Sequence, residues 1–328
     1  MADSQWGATL HMHGLLHAGF VPPADIRRLQ DYLRLRADHV AAAAGCVQLM
    51  QKAFDRMNIK LHDVISSLAG VSGMAVTRAI VAGERSPEAL VALCDVQIRR
   101  KKEQAVIEAL RGTWADEHIF ALGQALQSWD HYQKLIADCD QRIAAVLPPH
   151  DEAQPPLPRS TRQTGVNAPE ISRLREILAQ MCGGRDLTRL PALSSYGVLQ
   201  LIGEVGTDLS VWPTEKHFTA WTGLAPGSHD SGKRRKGVRR GRNRTGRLFC
   251  MMAQSLVRSL DIALGGFYRR LAARRGGLVA TTDLKTHRLR EGSWKASSFC
   301  QNRTRTLNRD RFMESLQFLP KPHTHPEP

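Results

Sequence analysis

Two long stretches of the sequence repeat apolar residues with the three- and four-residue spacing of an amphipathic helix. The first runs from Asp25 to about Phe54, and the second runs from Glu117 to Val146. Each helix would carry one narrow apolar stripe that another helical surface has to cover. Alternating runs of the kind that mark strands are scarce. The sequence therefore predicts a mostly α fold with a coiled-coil-like region, whose long helices pair as an antiparallel hairpin or across a dimer.

Glycine, proline and polar residues divide the rest of the chain. A helical block is predicted over about residues 61–83, and Ser86-Pro87 begins another helix. Residues 147–170 are rich in proline and polar side chains and carry no periodicity, which predicts a linker. Shorter helical segments follow the linker. The sequence after about Asp283 has no helical pattern, which predicts a poorly ordered tail.

The segment from Gly223 to Arg247, here called the basic segment, concentrates positive charge and glycine. Nine cations fall within its last fifteen residues: Lys233, Arg234, Arg235, Lys236, Arg239, Arg240, Arg242, Arg244 and Arg247. Glycines recur every four or five residues, so the stretch cannot be a stable helix throughout. A glycine-hinged ribbon of guanidinium groups suits a polyphosphate backbone. A solvated basic loop without a ligand is the other interpretation.

The charge of the whole chain favours an anionic partner. The formal net charge is +15 and the sequence pI is about 10.1, which points to nucleic acid before an acidic membrane surface. No apolar run approaches the length of a membrane span, and no secretory leader is evident. The six cysteines are scattered singly, which predicts reduced packing thiols and no structural zinc site. These features predict a soluble cytoplasmic protein.

One hydroxyl group stands at the head of the cations. Ser231 follows His229 and Asp230 in the sequence. A serine hydroxyl can attack a phosphodiester in line while guanidinium groups stabilise the charge that develops on the phosphoryl oxygens. Asp230 or His229 could accept the proton. Composition alone favours the simpler role, in which Ser231 turns or caps the loop.

The run from Glu204 to Leu256 resembles the C-terminal transposase domain of the DEDD-type insertion-sequence transposases. Upstream, FVPPADIRRLQDYLRLR, LAGVSGMAVTRAIVAGERSPEAL and EALRGTWADEHIFAL are similar to the helical insert of that family, so the resemblance extends over about residues 1–282. It implies a RuvC-like domain in which four acidic residues hold Mg²⁺, a nucleophilic serine in a Ser-Gly element, and a structured guide RNA. Ser231-Gly232 matches that element, so the resemblance makes Ser231 the candidate catalytic nucleophile.

The sequence also departs from the family. Asp3 alone matches the acidic set, so it is the candidate catalytic and metal-binding residue there, and the RNase-H-like sheet is expected to be absent or vestigial. One carboxylate cannot provide the near-octahedral site that Mg²⁺ requires. Where the family has Pro-Gly-x-Gly, residues 191–194 read Pro-Ala-Leu-Ser. The missing glycines are expected to impair a close approach of the backbone to phosphate.

The resemblance suggests five segments: a remnant of the RuvC-like domain (1–24), a helical coiled-coil insert (25–146), a linker (147–170), a small helical DNA-binding transposase domain (171–282) and a divergent tail (283–328). One hypothesis is a DNA transposase that uses Ser231 and Mg²⁺. The alternative is a truncated nucleic-acid-binding remnant that cannot cleave alone, which the missing acidic residues favour. Expected partners are DNA, a structured guide RNA and a second copy through the long helices, with nucleoid association when DNA is bound.

Overall fold

The structure, a computed structural model, describes residues 2–15, 19–152, 157–158, 165, 167–190, 192–224, 230–231, 234–235, 243–257 and 263–275. Its helices are α1 (Ala2–Met12), α2 (Ala24–Arg56), α3 (Leu61–Val64), α4 (Val71–Val81), α5 (Pro87–Ala92), α6 (Val96–Ala109), α7 (Asp116–Val146), α8 (Leu174–Met181), α9 (Ser195–Val205), α10 (Glu215–Trp221), α11 (Arg244–Val257) and α12 (Ala263–Arg275). A 3₁₀ turn (Leu187–Arg189) and two short strands, β1 (Asp230–Ser231) and β2 (Arg234–Arg235), complete the elements of this part. The prediction of a mostly α fold is confirmed.

Two compact units divide the chain. The helical unit comprises residues 31–145 and 169–171, and the C-terminal unit comprises residues 1–30, 146–168 and 172–328. No helix in the described part of the chain is long and apolar enough to cross a membrane. The five segments suggested by the sequence stay a prediction.

Contacts within the helical unit pair α2 with α7 in opposite directions. The Arg36 guanidinium binds the Asp140 carboxylate near the end of α7, and the His39 ring lies 6.1 Å from that of Tyr132. Further along α2, Met50 shares one buried cluster with Leu122 of α7. The two stripes therefore pack against each other and against α3–α6 in one chain, in the antiparallel arrangement that the sequence allowed.

The predicted helical block over residues 61–83 consists of two separate helices. α3 ends at Val64, and α4 begins at Val71 after Gly70. A Cβ on Gly73 would lie 2.3 Å from the Leu68 carbonyl oxygen, so the turn before α4 can fold back onto the helix only because this residue is glycine. The turn brings Leu61 and Leu68 into the same buried cluster as α4.

The cysteines of the described part are packing thiols, as predicted. Cys46, Cys94, Cys139, Cys182 and Cys250 are free and buried. Burial raises the pKa of the Cys46, Cys94 and Cys139 thiols and raises the pKa of Cys182 to about 11. Low thiolate content makes such groups poor nucleophiles. Cys300 lies outside the described residues.

Candidate nucleic-acid interface

The basic segment leaves and re-enters the fold at one junction, where the end of α10 meets the start of α11. The Asn243 side-chain amide donates a hydrogen bond of 3.1 Å to the carbonyl oxygen of Trp221. Thr222 and Leu224, which follow α10, are buried. These contacts hold Asn243, just before α11, against the end of α10. The basic segment therefore begins and ends at the same place in the fold.

Gly246 makes this junction possible. A Cβ at this position would lie 2.1 Å from the backbone oxygen of Thr222. The Gly246 N–H donates to Oδ1 of Asn243 at 2.8 Å, so Asn243 caps α11. The helix therefore begins at Arg244, within the basic segment. The interpretation of a glycine-hinged ribbon that extends to Arg247 is wrong for its last turn, because there the glycine serves helix packing.

We expect Gly246→Ala to destabilise the C-terminal unit by about 2–3 kcal/mol, because either the Thr222 backbone or α11 must move. The urea midpoint of unfolding measures this change. Gly45→Ala in α2 is the matched control, since a Cβ there meets nothing within 4 Å. That substitution should stabilise the protein by about 0.5–1 kcal/mol, because alanine favours a helix interior over glycine. Equal midpoints for the two variants would refute the proposed role of Gly246.

Two cations of the basic segment lie on the first turn of α11. Arg244 and Arg247 are both exposed and are three residues apart on this helix, so they share one face. A cation at the N-terminus of a helix is repelled by the helix dipole, so these positions do not favour folding. An anion at the same place would be attracted by the dipole and by both guanidinium groups. The arrangement suits a phosphate group.

Ser231 lies in a short hairpin that sequence reasoning missed. β1 pairs with β2 antiparallel, with Ser231 opposite Arg234 and Asp230 opposite Arg235. The register therefore places the backbone of the candidate nucleophile opposite that of a basic residue of the same segment. Two-residue strands are too short to give an alternating pattern, but the serine-glycine pair before two arginines was a turn signal.

The remaining predicted cations are only partly placed. Arg234 and Arg235 are described in their backbone alone, while Lys233, Lys236, Arg239, Arg240 and Arg242 lie outside the described residues, as does His229. The conformation of these cations and the proton acceptor for Ser231 stay predictions.

Asp3 lies in α1, and its side chain is outside the described part. Among the residues that the structure describes, no group of three His, Cys, Asp or Glu side chains could hold a metal ion. The carboxylates of the described part therefore do not fit the Mg²⁺ site that the family resemblance implies.

The turn before α9 keeps a glycine-like conformation without the glycine. Ala192 has φ of 65°, in the left-handed region, at the first position where the resemblance led us to expect Gly. At the second such position, Ser194 caps α9, and its Oγ accepts a hydrogen bond of 3.1 Å from the Gly197 N–H. The turn thus has the backbone form that glycine favours, with alanine under strain.

We expect Ala192→Gly to stabilise the C-terminal unit by about 1 kcal/mol, because glycine adopts the left-handed conformation without the Cβ clash. The exposed Ala44 of α2 supplies the control: Ala44→Gly should destabilise by a similar amount, about 1 kcal/mol, in a regular helix. Urea unfolding of both variants measures the two changes. Changes of the same sign would show that Ala192 is not strained.

The junction of the basic segment lies in a part of the chain that matches a known protein family. Residues 184–269 match the model of the Transposase IS116/IS110/IS902 family. Over this stretch the chain is similar to that transposase family. The match includes α9, α10, the hairpin and the whole basic segment, and it confirms the resemblance drawn from Glu204–Leu256. No curated protein and no solved structure matches the chain.

An aromatic cluster supports the transposase-family domain. Trp212 lies at the centre, with ring centroids 4.6 Å from Phe20, 4.9 Å from Trp221 and 5.2 Å from Phe218. Phe249 of α11 contacts Phe218 at 6.1 Å. Such ring pairs contribute packing energy beyond the area that they bury. They fix α10 and α11, the two helices that form the junction of the basic segment.

The contribution of Phe20 was missed by sequence reasoning. This residue lies far from Trp212 in the sequence, and no periodicity connects the two. The spacing of Trp212, Phe218 and Trp221 was the available signal for an aromatic core around α10.

Proposed function

We propose that this protein is an insertion-sequence transposase that binds the DNA backbone through the basic segment of its transposase-family domain. The observation that carries the proposal is the family match over residues 184–269, which includes all nine cations of the segment. The junction between α10 and α11 holds the two ends of the segment that carries these charges. Cations in such an arrangement release counterions from DNA and bind largely without regard to sequence.

The test is a fluorescence-anisotropy titration of the full chain against a labelled duplex carrying the ends of its element. We expect a Kd at or below about 1 μM at low salt, because several phosphate contacts act together there. A chain of similar size and neutral pI provides the control for unspecific adsorption. Absence of binding to duplex DNA and to RNA at low salt would contradict the proposal.

A structured guide RNA is the second partner that we propose. Support comes from the family resemblance and from the chemistry of the basic segment, since guanidinium groups bind phosphates of RNA and DNA alike. Competition between a folded RNA transcribed from the element and an unrelated folded RNA of equal length separates a specific guide from general affinity for RNA. Equal competition by the two RNAs would contradict a specific guide.

Self-association through the long helices is part of the same proposal. Leu35 and Leu49 are exposed on α2. They are two heptads apart, the spacing that keeps residues on one face of a supercoiled helix. Light scattering of the purified chain measures the mass in solution, and replacement of both leucines by Gln should lower it to that of a monomer. An unchanged mass would contradict this contact.

Serine catalysis is the second candidate function, and the hairpin register favours it. In this step the Ser231 Oγ attacks phosphorus, and a P–O bond to one bridging DNA oxygen breaks. The serine proton passes to a base, and the leaving oxygen takes up a proton. Arg234, opposite Ser231 in the hairpin, would stabilise the charge on the phosphoryl oxygens. The described carboxylates do not fit Mg²⁺, which supports the binding-only alternative for this chain.

We expect Ser231→Ala to abolish a covalent protein–DNA adduct, because no other hydroxyl occupies the Ser-Gly element. The adduct is measured as a shifted band on a denaturing gel after incubation with element-end DNA and Mg²⁺. Ser228→Ala is the matched control and should keep the adduct. An adduct that survives Ser231→Ala would eliminate the nucleophilic role, and a wild-type chain that binds DNA without any adduct would favour the binding-only alternative.

A further inference from the structure

A second group of cations lies in the helical unit, outside the transposase-family domain. Arg99, Arg100, Lys101 and Lys102 are consecutive in α6, and all four are exposed. We call them the α6 cations. Lys102 donates a hydrogen bond of 2.6 Å to the Val64 carbonyl oxygen. Among the residues that the structure describes, the other three make no ion pair or side-chain hydrogen bond.

Other cations of the same unit have partners. Arg36 binds Asp140, Lys60 binds Asp55 and Arg78 binds Asp130. Carboxylates are thus available in this unit to neutralise cations that serve the fold. Unlike these three, the α6 cations have no carboxylate partner in the described part of the chain, and four of them in a row concentrate charge that an external anion can neutralise.

The α6 cations do not stabilise their own helix. They lie in the N-terminal half of the helix, so they gain nothing from the helix dipole, which favours cations in the last turn. Like charges three residues apart, as at Arg99 and Lys102, also repel each other. The backbone departs from helical geometry at Lys102, with φ of −139° and ψ of 16°. Glu103 and Glu108 are the acidic residues within α6 and offset part of the charge. Helix stability therefore does not explain why four cations follow one another in α6, whereas binding of an anion does.

An exposed apolar patch adjoins these cations. Val96 is 55% exposed and precedes Arg99 and Arg100 by three and four residues, so the three share a face of α6. Val71, at the start of α4, is 90% exposed. The Ser72 hydroxyl accepts a hydrogen bond of 2.9 Å from the Asp95 N–H, which holds the start of α4 beside the start of α6.

We propose that the α6 cations and the adjoining valines form a second contact surface for nucleic acid. Guanidinium and ammonium groups bind the phosphodiester backbone, and the short apolar side chains pack against sugars or exposed base edges. The valines form a small patch rather than the broad apolar face of a membrane-bound helix, and this favours nucleic acid. The inference rests on the proposed function only in that the ligand is nucleic acid; the surface itself belongs to a different compact unit.

The test compares two variants of the full chain, each with four substitutions. One carries Arg99→Gln, Arg100→Gln, Lys101→Gln and Lys102→Gln. The matched control replaces Lys52, Arg56, Lys134 and Arg142 by Gln, four exposed cations on α2 and α7 of the same unit. Both variants lose the same net charge. Circular dichroism verifies folding, and the α6 variant should be about as stable as wild type, because relief of charge repulsion offsets the lost hydrogen bond from Lys102 to Val64.

We expect the α6 variant to bind nucleic acid about 60- to 500-fold more weakly at about 100 mM salt, and its salt slope to fall by about 2–3, as loss of two or three phosphate contacts requires. The control should lose less than about threefold. Separate titrations with duplex DNA and with structured RNA show which backbone the surface binds. A third variant, Arg99→Lys with Arg100→Lys, keeps the charge and should retain affinity within about threefold of wild type.

Three results would overturn the inference. If the α6 variant binds both nucleic acids like the control while wild type keeps a steep salt slope, this surface is wrong and the proposed function stands. If wild type binds neither nucleic acid, both proposals fail. If the α6 variant loses binding to anionic phosphatidylserine vesicles but keeps binding to DNA and RNA, the surface binds membranes.

Discussion

Replacing Arg239, Arg240, Arg242, Arg244 and Arg247 by Gln should weaken binding to duplex DNA by about a thousandfold at about 100 mM salt, since each lost phosphate contact costs nearly tenfold under these conditions. A thousandfold loss of affinity corresponds to phosphate contacts from three or four of the five arginines. Anisotropy titrations with two unrelated duplexes measure the loss. The two should weaken alike, because phosphate contacts position a protein without reading sequence.

The two arginines on α11 allow a sharper comparison. Arg244→Gln with Arg247→Gln should cost about 10- to 100-fold, because both lie at the helix N-terminus where a phosphate is attracted. The control pair is Arg270→Gln with Arg274→Gln on α12, which are also exposed and remove the same charge. It should cost less than about threefold. Equal losses for the two pairs would mean that overall charge, rather than the junction, governs binding.

Asp140→Asn should lower the free energy of unfolding of the helical unit by about 3–5 kcal/mol, because it removes the carboxylate charge that compensates the buried Arg36 guanidinium. Arg36 is only 2% exposed. Its Nη2 donates to Asp140 Oδ2 at 3.3 Å, and the Glu170 N–H donates to the same oxygen at 3.2 Å. Asparagine can satisfy part of this hydrogen bonding but none of the charge. Urea unfolding measures the change.

An exposed ion pair of the same unit supplies the control. Lys60 and Asp55 are each nearly half exposed, so Asp55→Asn should cost less than about 1 kcal/mol. The double replacement Arg36→Met with Asp140→Leu should recover much of the stability, because no buried charge then remains. If Asp140→Asn and Asp55→Asn cost the same, the buried pair does not hold α2 against α7.

The long helices could be predicted because a strong period runs through many residues. The pattern from Asp25 to about Phe54 corresponds to Ala24–Arg56, and the pattern from Glu117 to Val146 corresponds to Asp116–Val146. Tertiary burial of one stripe fixes residue type at every third or fourth position, so the signal accumulates with length.

Features that depend on one distant contact could not be predicted in the same way. Arg36 lies within the helical pattern as an ordinary charged residue, and only its pairing with Asp140 explains its burial. Phe20 packs on Trp212 across most of the chain. The start of α11 depends on the Asn243 cap and on the approach of Gly246 to Thr222. Glycine spacing alone suggested a hinge there.

The candidate site was located by two different signals. Charge density found the basic segment, and the family resemblance singled out Ser231 within it. Neither signal indicated the hairpin register of Ser231 and Arg234, because a pair of two-residue strands leaves no hydrophobic pattern. The α6 cations also escaped notice in the sequence, since a charge run on a helix is ordinarily a solvated face until its partners are known.

The salt dependence of DNA binding is the clearest test of whether the basic segment binds phosphates. If most of the nine cations of the basic segment meet phosphates, log K of the full chain should fall linearly with log salt between about 50 and about 200 mM, and this segment should contribute roughly −5 to −8 to the slope. A slope near zero would show that phosphates do not dominate the interface, and it would contradict the role proposed for the basic segment.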